Sequence, residues 1–285
     1  MEHTPENYKS FWTISDIENI NINKTQKDIK QLLSKQSNHE GISSIFVENI
    51  ENWLKNNSVG RTLLRKDEQD SNILYKNADI NSSSARMEEA GIVHDFVFSP
   101  QLNKEGECFN EDFTSISEIE VYSAILTSTV GYQEAEDDWI LNLLKENTEK
   151  TILSESVKEG LLIAFKLLCH NGFLPRFIVL DVESYIDLVV EVGKKYIGIE
   201  SLRDALKTKN YGRFEGVEIV VSCSTKDQTI LMTSDPKYVG TYTPNSVSCE
   251  YKYDMEESSK GWYVKSNTKA CIVNKEAIAK ISLMK

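Results

Sequence analysis

The stretch SESVKEGLLIAFKLLCHNGFLPRFIVLD, residues 154–181, leaves the chain the least conformational freedom. Ser156 followed by Glu159 has the spacing of a capping box. Behind it Leu161, Leu162, Phe165, Leu168 and Cys169 recur at helical intervals, so one face must be covered. Gly172 supplies a C-terminal stop and Pro175 lies just beyond it. FIVL is then an unbroken apolar run of strand length, which predicts a strand buried on both faces. ESYIDLVVEVGKK predicts a short helix stopped at Gly193, and IESLRDALKT another, before a turn at NYGRFEG. Two β-branched runs, VEIVVS and TILMTS, flank the polar STKDQ and predict strands. VSCEYKYDM, GWYVKSNTKACIVN and KEAIAKISL close the chain. Helices and strands mix without the regular βαβ rhythm of a doubly wound sheet, which predicts an α+β fold.

Upstream, residues 1–57 look helical and polar. Ile42, Ile45, Phe46, Asn49, Ile50, Trp53 and Leu54 form a mostly apolar stripe, to be covered by the body or by a neighbouring subunit. From Ser58 to Asp112 regularity drops, predicting an extended hairpin or excursion that includes NILYKNADI and GIVHDFVFS. SISEIEVYSAILTSTVG alternates partly, at Ile119, Val121, Ala124, Leu126 and Ser128, and predicts a strand. QEAEDDWILNLLKENTEKTILSESVKEGLLIAFKLLCHNG predicts a long helical tract.

Composition narrows the function classes. With 285 residues, 40% hydrophobic and 27% charged, the chain is a folded protein of one large domain or two subdomains. A net charge of −12 excludes a sequence-independent nucleic-acid clamp, which needs clustered Lys and Arg. Basic residues such as Arg61, Arg65, Lys66 and Arg86 suit ion pairs with another acidic subunit instead. No run reaches the ~20 apolar residues of a membrane span. The opening MEHTPENYKSFWTISD lacks the pattern of a signal peptide, so a soluble, intracellular product is expected. Five scattered cysteines (Cys108, Cys169, Cys223, Cys249, Cys271) without a CxxC pair predict free, mostly buried thiols.

No pattern carries chemistry. Neither standard nucleotide cradle is present, nor an HExxH or G-x-S-x-G motif. Cys169 and His170 are adjacent on one helix and point about 100° apart, so a core thiol and a helix-terminal histidine are expected. The four carboxylates of EAEDDW, residues 134–139, fit the start of a long helix. Asp181 and Asp235 end strands and are expected to cap the following turns rather than to catalyse. No cofactor, metal or catalytic residue is predicted, and the expectation is a protein that is not an enzyme.

In element order the sequence resembles the major capsid proteins of tailed bacteriophages, the Hong Kong 97-like fold shared with encapsulins. FLPRFIVLDVESYIDLV is similar to that family's segment after its spine helix. YGRFEGVEIVVS, with Gly212, Gly216 and Ser222, is similar to its "G-x-L-x-G-x-P-V-x-x-S" piece. TILMTSDPKYVG and GWYVKSNTKACIVNKEAIAKISL look like its later strands. The resemblance implies an N-terminal helical arm at 1–60, an extended loop (E-loop) at 61–112 and a peripheral domain with the spine helix at 113–175. An axial domain at 176–240 and C-terminal strands at 241–285 complete it. The spine is expected in SESVKEGLLIAFKLLCHNG. Also implied are self-assembly through hexamers and pentamers into an icosahedral virion shell in the host cytoplasm, and packaged double-stranded DNA held without sequence-specific contact. Portal, scaffolding or decoration proteins are implied as partners, and no membrane. Arg61, Arg65, Arg86, Glu88, Glu89, Tyr211 and Arg213 are the expected subunit-interface residues. An encapsulin-type compartment around a cargo enzyme is the alternative, and a soluble enzyme with an unseen site is the third.

Overall fold

A computed structural model of the chain describes residues 39–66, 88–98, 118–222, 229–243, 247–254 and 259–284. Its elements begin with α1 (His39–Asn57), α2 (Val59–Leu63), β1 (Arg65–Lys66), β2 (Glu88–Phe98) and α3 (Glu118–Glu146). Then come β3 (Thr151–Ser154), α4 (Val157–His170), β4 (Pro175–Leu180), α5 (Val182–Val192), α6 (Lys194–Ile197) and α7 (Leu202–Thr208). Next are β5 (Arg213–Phe214), β6 (Val217–Val221), β7 (Thr229–Ser234), α8 (Pro236–Val239), β8 (Gly240–Thr243) and β9 (Ser248–Asp254). β10 (Ser259–Ile272), a 3-10 turn (Lys275–Ala277) and β11 (Ile278–Leu283) end the chain.

The described strands form two sheets. A six-stranded sheet has the order β3-β11-β7-β4-β6-β5. Its central strands are buried on both faces, which is why FIVL and TILMTS are nearly continuous apolar runs. Ile178, Leu180, Ile230, Met232, Ala279 and Ile281 face a core completed by α4 and α5. The alternate residues Phe177, Val179, Leu231 and Ile278 face a second core, with Leu63, Leu64 and the C-terminal half of α3. The second sheet runs β1-β8-β10-β2, with β9 also paired to β10. α3 packs on β2 and β10, and α1 packs on α3 and β9.

Much of the expected element pattern is present. Ser156 caps α4 by accepting a bond from the Glu159 amide at 3.3 Å. Gly193 ends α5. Glu215 and Gly216 both have positive φ, 50° and 80°, the geometry of a tight two-residue hairpin turn joining β5 to β6. The NYGRFEG turn thus carries a two-residue strand as well. Ile45, Phe46, Ile50, Trp53 and Leu54 of the apolar stripe are buried against the body of the same chain.

Four expectations are corrected. SISEIEVYSAILTSTVG is no strand: from Glu118 it opens the 29-residue helix α3. Its buried residues recur as Ile125, Thr129, Tyr132 and Gln133, then Glu136 and Asp137, then Ile140 and Leu141. That is a helical stripe, and β-branched residues at unrelated positions imitated alternation. The long helical tract is two helices, α3 and α4, with β3 between them. β3 pairs in parallel with β11, a long-range partner invisible to local periodicity. Among the described residues the longest helix is therefore α3. The supposedly irregular stretch after Ser58 opens with a helical turn, α2. Lastly, Cys169 is exposed, because it lies on the outer side of α4; Cys271 is buried and Cys249 half-buried. Cys108, Cys223 and the NILYKNADI segment lie outside the described residues.

Candidate functional site

Where α1 hands over to α2, the chain meets the middle of α3 in a buried polar junction. α2 is one short turn, and its first amides have no partners within the helix. Asp137 supplies them from α3. Its carboxylate accepts bonds from the Gly60 amide at 2.8 Å, the Val59 amide at 3.1 Å and the Ser58 hydroxyl at 2.6 Å. Ser58 in turn accepts the Arg61 amide at 3.1 Å. Gln133, one turn before Asp137, donates to that carboxylate at 3.1 Å and to the Asn57 carbonyl at 2.9 Å. The Trp53 indole donates to the Gln133 side-chain carbonyl at 2.5 Å.

The charge pair is adjacent. Glu136 is fully buried and accepts two bonds from Arg61, one of them Nη2 to Oε2 at 2.9 Å. Thr268 of β10 donates to the same carboxylate at 3.2 Å, so one glutamate ties α2, α3 and the second sheet together. The Arg61 guanidinium also lies over the Tyr242 ring, 5.7 Å from its centroid. Burial lowers the pKa of Arg61, but bonding and charge from Glu136 more than offset it, and the net direction is up. Burial pushes the Asp137 carboxyl above its ordinary range, against the pull of its bonds from Ser58, Gly60, Gln133 and Val59.

Only glycine fits where α2 crosses α3. A Cβ on Gly60 would sit 2.7 Å from Ile140 Cδ1 and 3.1 Å from Asp137 Oδ1. Beside the junction opens a cleft of about 300 Å³, lined among others by Asn57, Glu134, Lys209, Tyr211 and Glu218. Lys209 bridges it, donating to the Asn57 side-chain carbonyl at 3.0 Å and lying 5.4 Å from the Trp53 ring centroid. The Tyr185 hydroxyl donates to the carbonyl of Tyr211, one of the cleft residues, at 3.1 Å. Burial raises the Tyr185 pKa to about 12.

EAEDDW thus lies in the middle of α3, not at its start. Glu136 and Asp137 answer specific donors there, while Glu134 faces out. Asp181 and Asp235 do cap, accepting the Ser184 amide at 2.8 Å and the Lys237 amide at 3.1 Å. Of the expected interface residues, Arg61 is committed inside the chain. Arg65 is half-buried on β1 and Arg213 exposed on β5, both strands at sheet edges. Tyr211 packs edge-on against Tyr185. Glu88 and Glu89 open β2, and Arg86 lies outside the described residues. The junction residues Ser58, Gln133, Glu136 and Asp137 were not singled out for this role by the sequence, although Gln133 and Asp137 stand one turn apart on the Ile125–Ile140 stripe. Among the described residues no group of three or more His, Cys, Asp or Glu side chains is placed to hold a metal ion. The junction's chemistry is that of a latch: Asp137 and Glu136 accept bonds from donors on α2, α3 and β10 and from Ser58.

No protein-family model matches the sequence, and no curated protein matches it. Solved structures do. The chain of a virus-like particle from Pyrococcus furiosus is similar in fold, with a TM-score of 0.51 at 13% identity. The match covers 85% of this chain and 98% of that one. A structure from Microbacterium phage Oxtober96 is similar over 80% of this chain and 91% of its own, with a TM-score of 0.50 at 10% identity. At these identities the likeness is one of fold, and the α+β architecture is similar to the Hong Kong 97-like capsid folds.

Proposed function

We propose that the chain is the structural subunit of an icosahedral shell, a viral major capsid protein enclosing double-stranded DNA. The observation that carries this reading is the fold similarity to the virus-like particle chain over nearly that chain's whole length. Such a subunit works by shape. Many modest contacts, each of a standard ~1,600 Å² or less, stabilise a shell cooperatively, so the subunit must hold its curvature while it makes them. The buried latch between α2 and α3 contributes to this, since it fixes the end of α1 against the body. A net charge of −12 suits an inner wall that does not adsorb packaged DNA. Hexamers and pentamers of the same chain, a portal and scaffolding or decoration proteins are the partners of this reading, and the virion is its place. Arg65, Arg86, Glu88, Glu89, Tyr211 and Arg213 remain proposed subunit contacts.

Electron microscopy of the purified protein tests it. Closed particles are expected; monomers or small oligomers under every assembly condition, including with portal and scaffolding partners, would sink the shell. Nuclease-protected DNA in native particles is expected for a virion. A folded enzyme in place of DNA would make the shell a cargo compartment.

A further inference from the structure

α5 buries Ser184, Tyr185, Leu188 and Val189 and turns a different set outward. Ile186 is 38% and Val190 76% exposed, one helical turn apart on the same side, with exposed Asp187 beside them. From Asp181 to Gly193 the chain carries four acidic side chains and no Lys or Arg. Asp181 and Glu191 are already used at home. Asp181 caps α5, and Glu191 accepts bonds from the Ser156 hydroxyl and the Lys158 amide at the start of α4, both at 2.9 Å.

The next segment has the opposite sign. Between residues 194 and 213, six Lys and Arg side chains face only Glu200 and Asp204, in a chain whose net charge is −12. Lys194, Lys195, Arg203, Lys207 and Arg213 are all exposed. Tyr196 stands among them, 55% exposed, its ring against Phe214 and its hydroxyl bonded to Glu215.

We propose that copies of this chain meet head to tail, the outer face of α5 in one copy seating on the α6–β5 segment of the next. The proposal rests on the shell reading and names one of its contacts. Two copies at −12 repel at a distance, so a stable contact must bring their few regions of opposite sign together. Asp187 meets Lys194 and Lys195, and the Tyr196 ring covers Ile186 and Val190, an apolar centre within a charged rim. A polyanion would answer the lysines but leave Ile186 and Val190 in water. Because each copy offers one face to the copy before it and the other to the copy after it, this head-to-tail contact is heterologous, and repetition closes a ring or extends a filament.

Three variants test this: Asp187→Lys, Lys194→Glu/Lys195→Glu, and all three changes in one chain. Particles are counted by electron microscopy and light scattering, and folding is checked by thermal melting. With like charges opposed, each one-sided variant should lose assembled material on the order of tenfold or more while melting as the wild type does. The combined chain, with both faces reversed, should assemble again. Normal particles from both one-sided variants, or no recovery in the combined chain, overturn the proposal. So does an Asp187→Lys chain that assembles normally while the lysine variant loses only bound DNA, which would make the basic segment a polyanion site. A wild type that forms only small rings, lost in Asp187→Lys, keeps the contact and ends the shell. A wild type that stays monomeric ends both.

Discussion

α3 and α4 are neighbouring helices that solve burial in opposite ways. α4 buries Val157, Gly160, Leu161, Ala164 and Leu168, none of them polar, against the six-stranded sheet. α3 buries Thr129, Gln133, Glu136 and Asp137 on the same stripe as Ile125 and Ile140. A dry face needs only some apolar surface of the right shape opposite it, whereas a polar one needs particular partners. Those of α3 are Trp53, Ser58, Val59, Gly60 and Arg61, more than seventy residues earlier, and Thr268, far later. α4 is therefore fixed by its own periodicity, and α3 by the rest of the molecule.

The most direct way to break the contrast is to remove one charge. Arg61→Ala leaves Glu136 buried without its cation and should cost about 3–5 kcal/mol in chemical denaturation. Making α3 dry sharpens it: Arg61→Met with Glu136→Leu should recover most of that loss or exceed wild-type stability by ~1–4 kcal/mol. If the dry pair is as unstable as Arg61→Ala, the polar face is needed for stability itself and not only for choosing one geometry.

The same contrast decides what the sequence reveals. α4, β4, α5 and the strand runs are legible because local spacing and burial agree there; Ser156, FIVL and Gly193 each act within a few residues. α3 is not, since a helix that buries Glu136 and Asp137 has no clean apolar period, and Ile119, Val121 and Leu126 then suggest alternation. EAEDDW reads as solvated for the same reason: four carboxylates look like surface unless Arg61 and the Ser58–Gly60 amides are known to face them. β3 escapes notice because its pairing with β11 spans most of the C-terminal half. The α+β class needs none of this, and it is visible in the fold likeness.

A smaller effect comes from the crossing of α2 on α3. Gly60→Ala drives a methyl into Ile140 and Asp137, and overpacking of this kind costs roughly 1–3 kcal/mol. Trp53 fluorescence should shift as the Gln133 bond loosens. An unchanged melt and spectrum would mean that α2 is not latched. On the dry side, Ser156→Ala removes a cap and should cost ~1 kcal/mol with no change at Trp53, which would show the two helices to be independent.

The subtlest test is the pH dependence of the latch. Asp137 is held above its ordinary range by burial, so the folded state keeps a proton that the unfolded chain has already released. Folding takes up that proton in the window between the two values, and stability falls as pH rises through it. The contribution of Asp137 is thus fully present below the ordinary aspartate pKa, about 4, and is lost as pH rises through the raised folded value. Asp137→Asn does not titrate. The difference in melting temperature between wild type and Asp137→Asn should then be largest at the acidic end and shrink as pH rises through the folded value. A gap that widens with rising pH would mean the four donors outweigh desolvation and hold the carboxylate ionised. The junction would then work as an anion site for the α2 amides rather than as a proton-bearing latch.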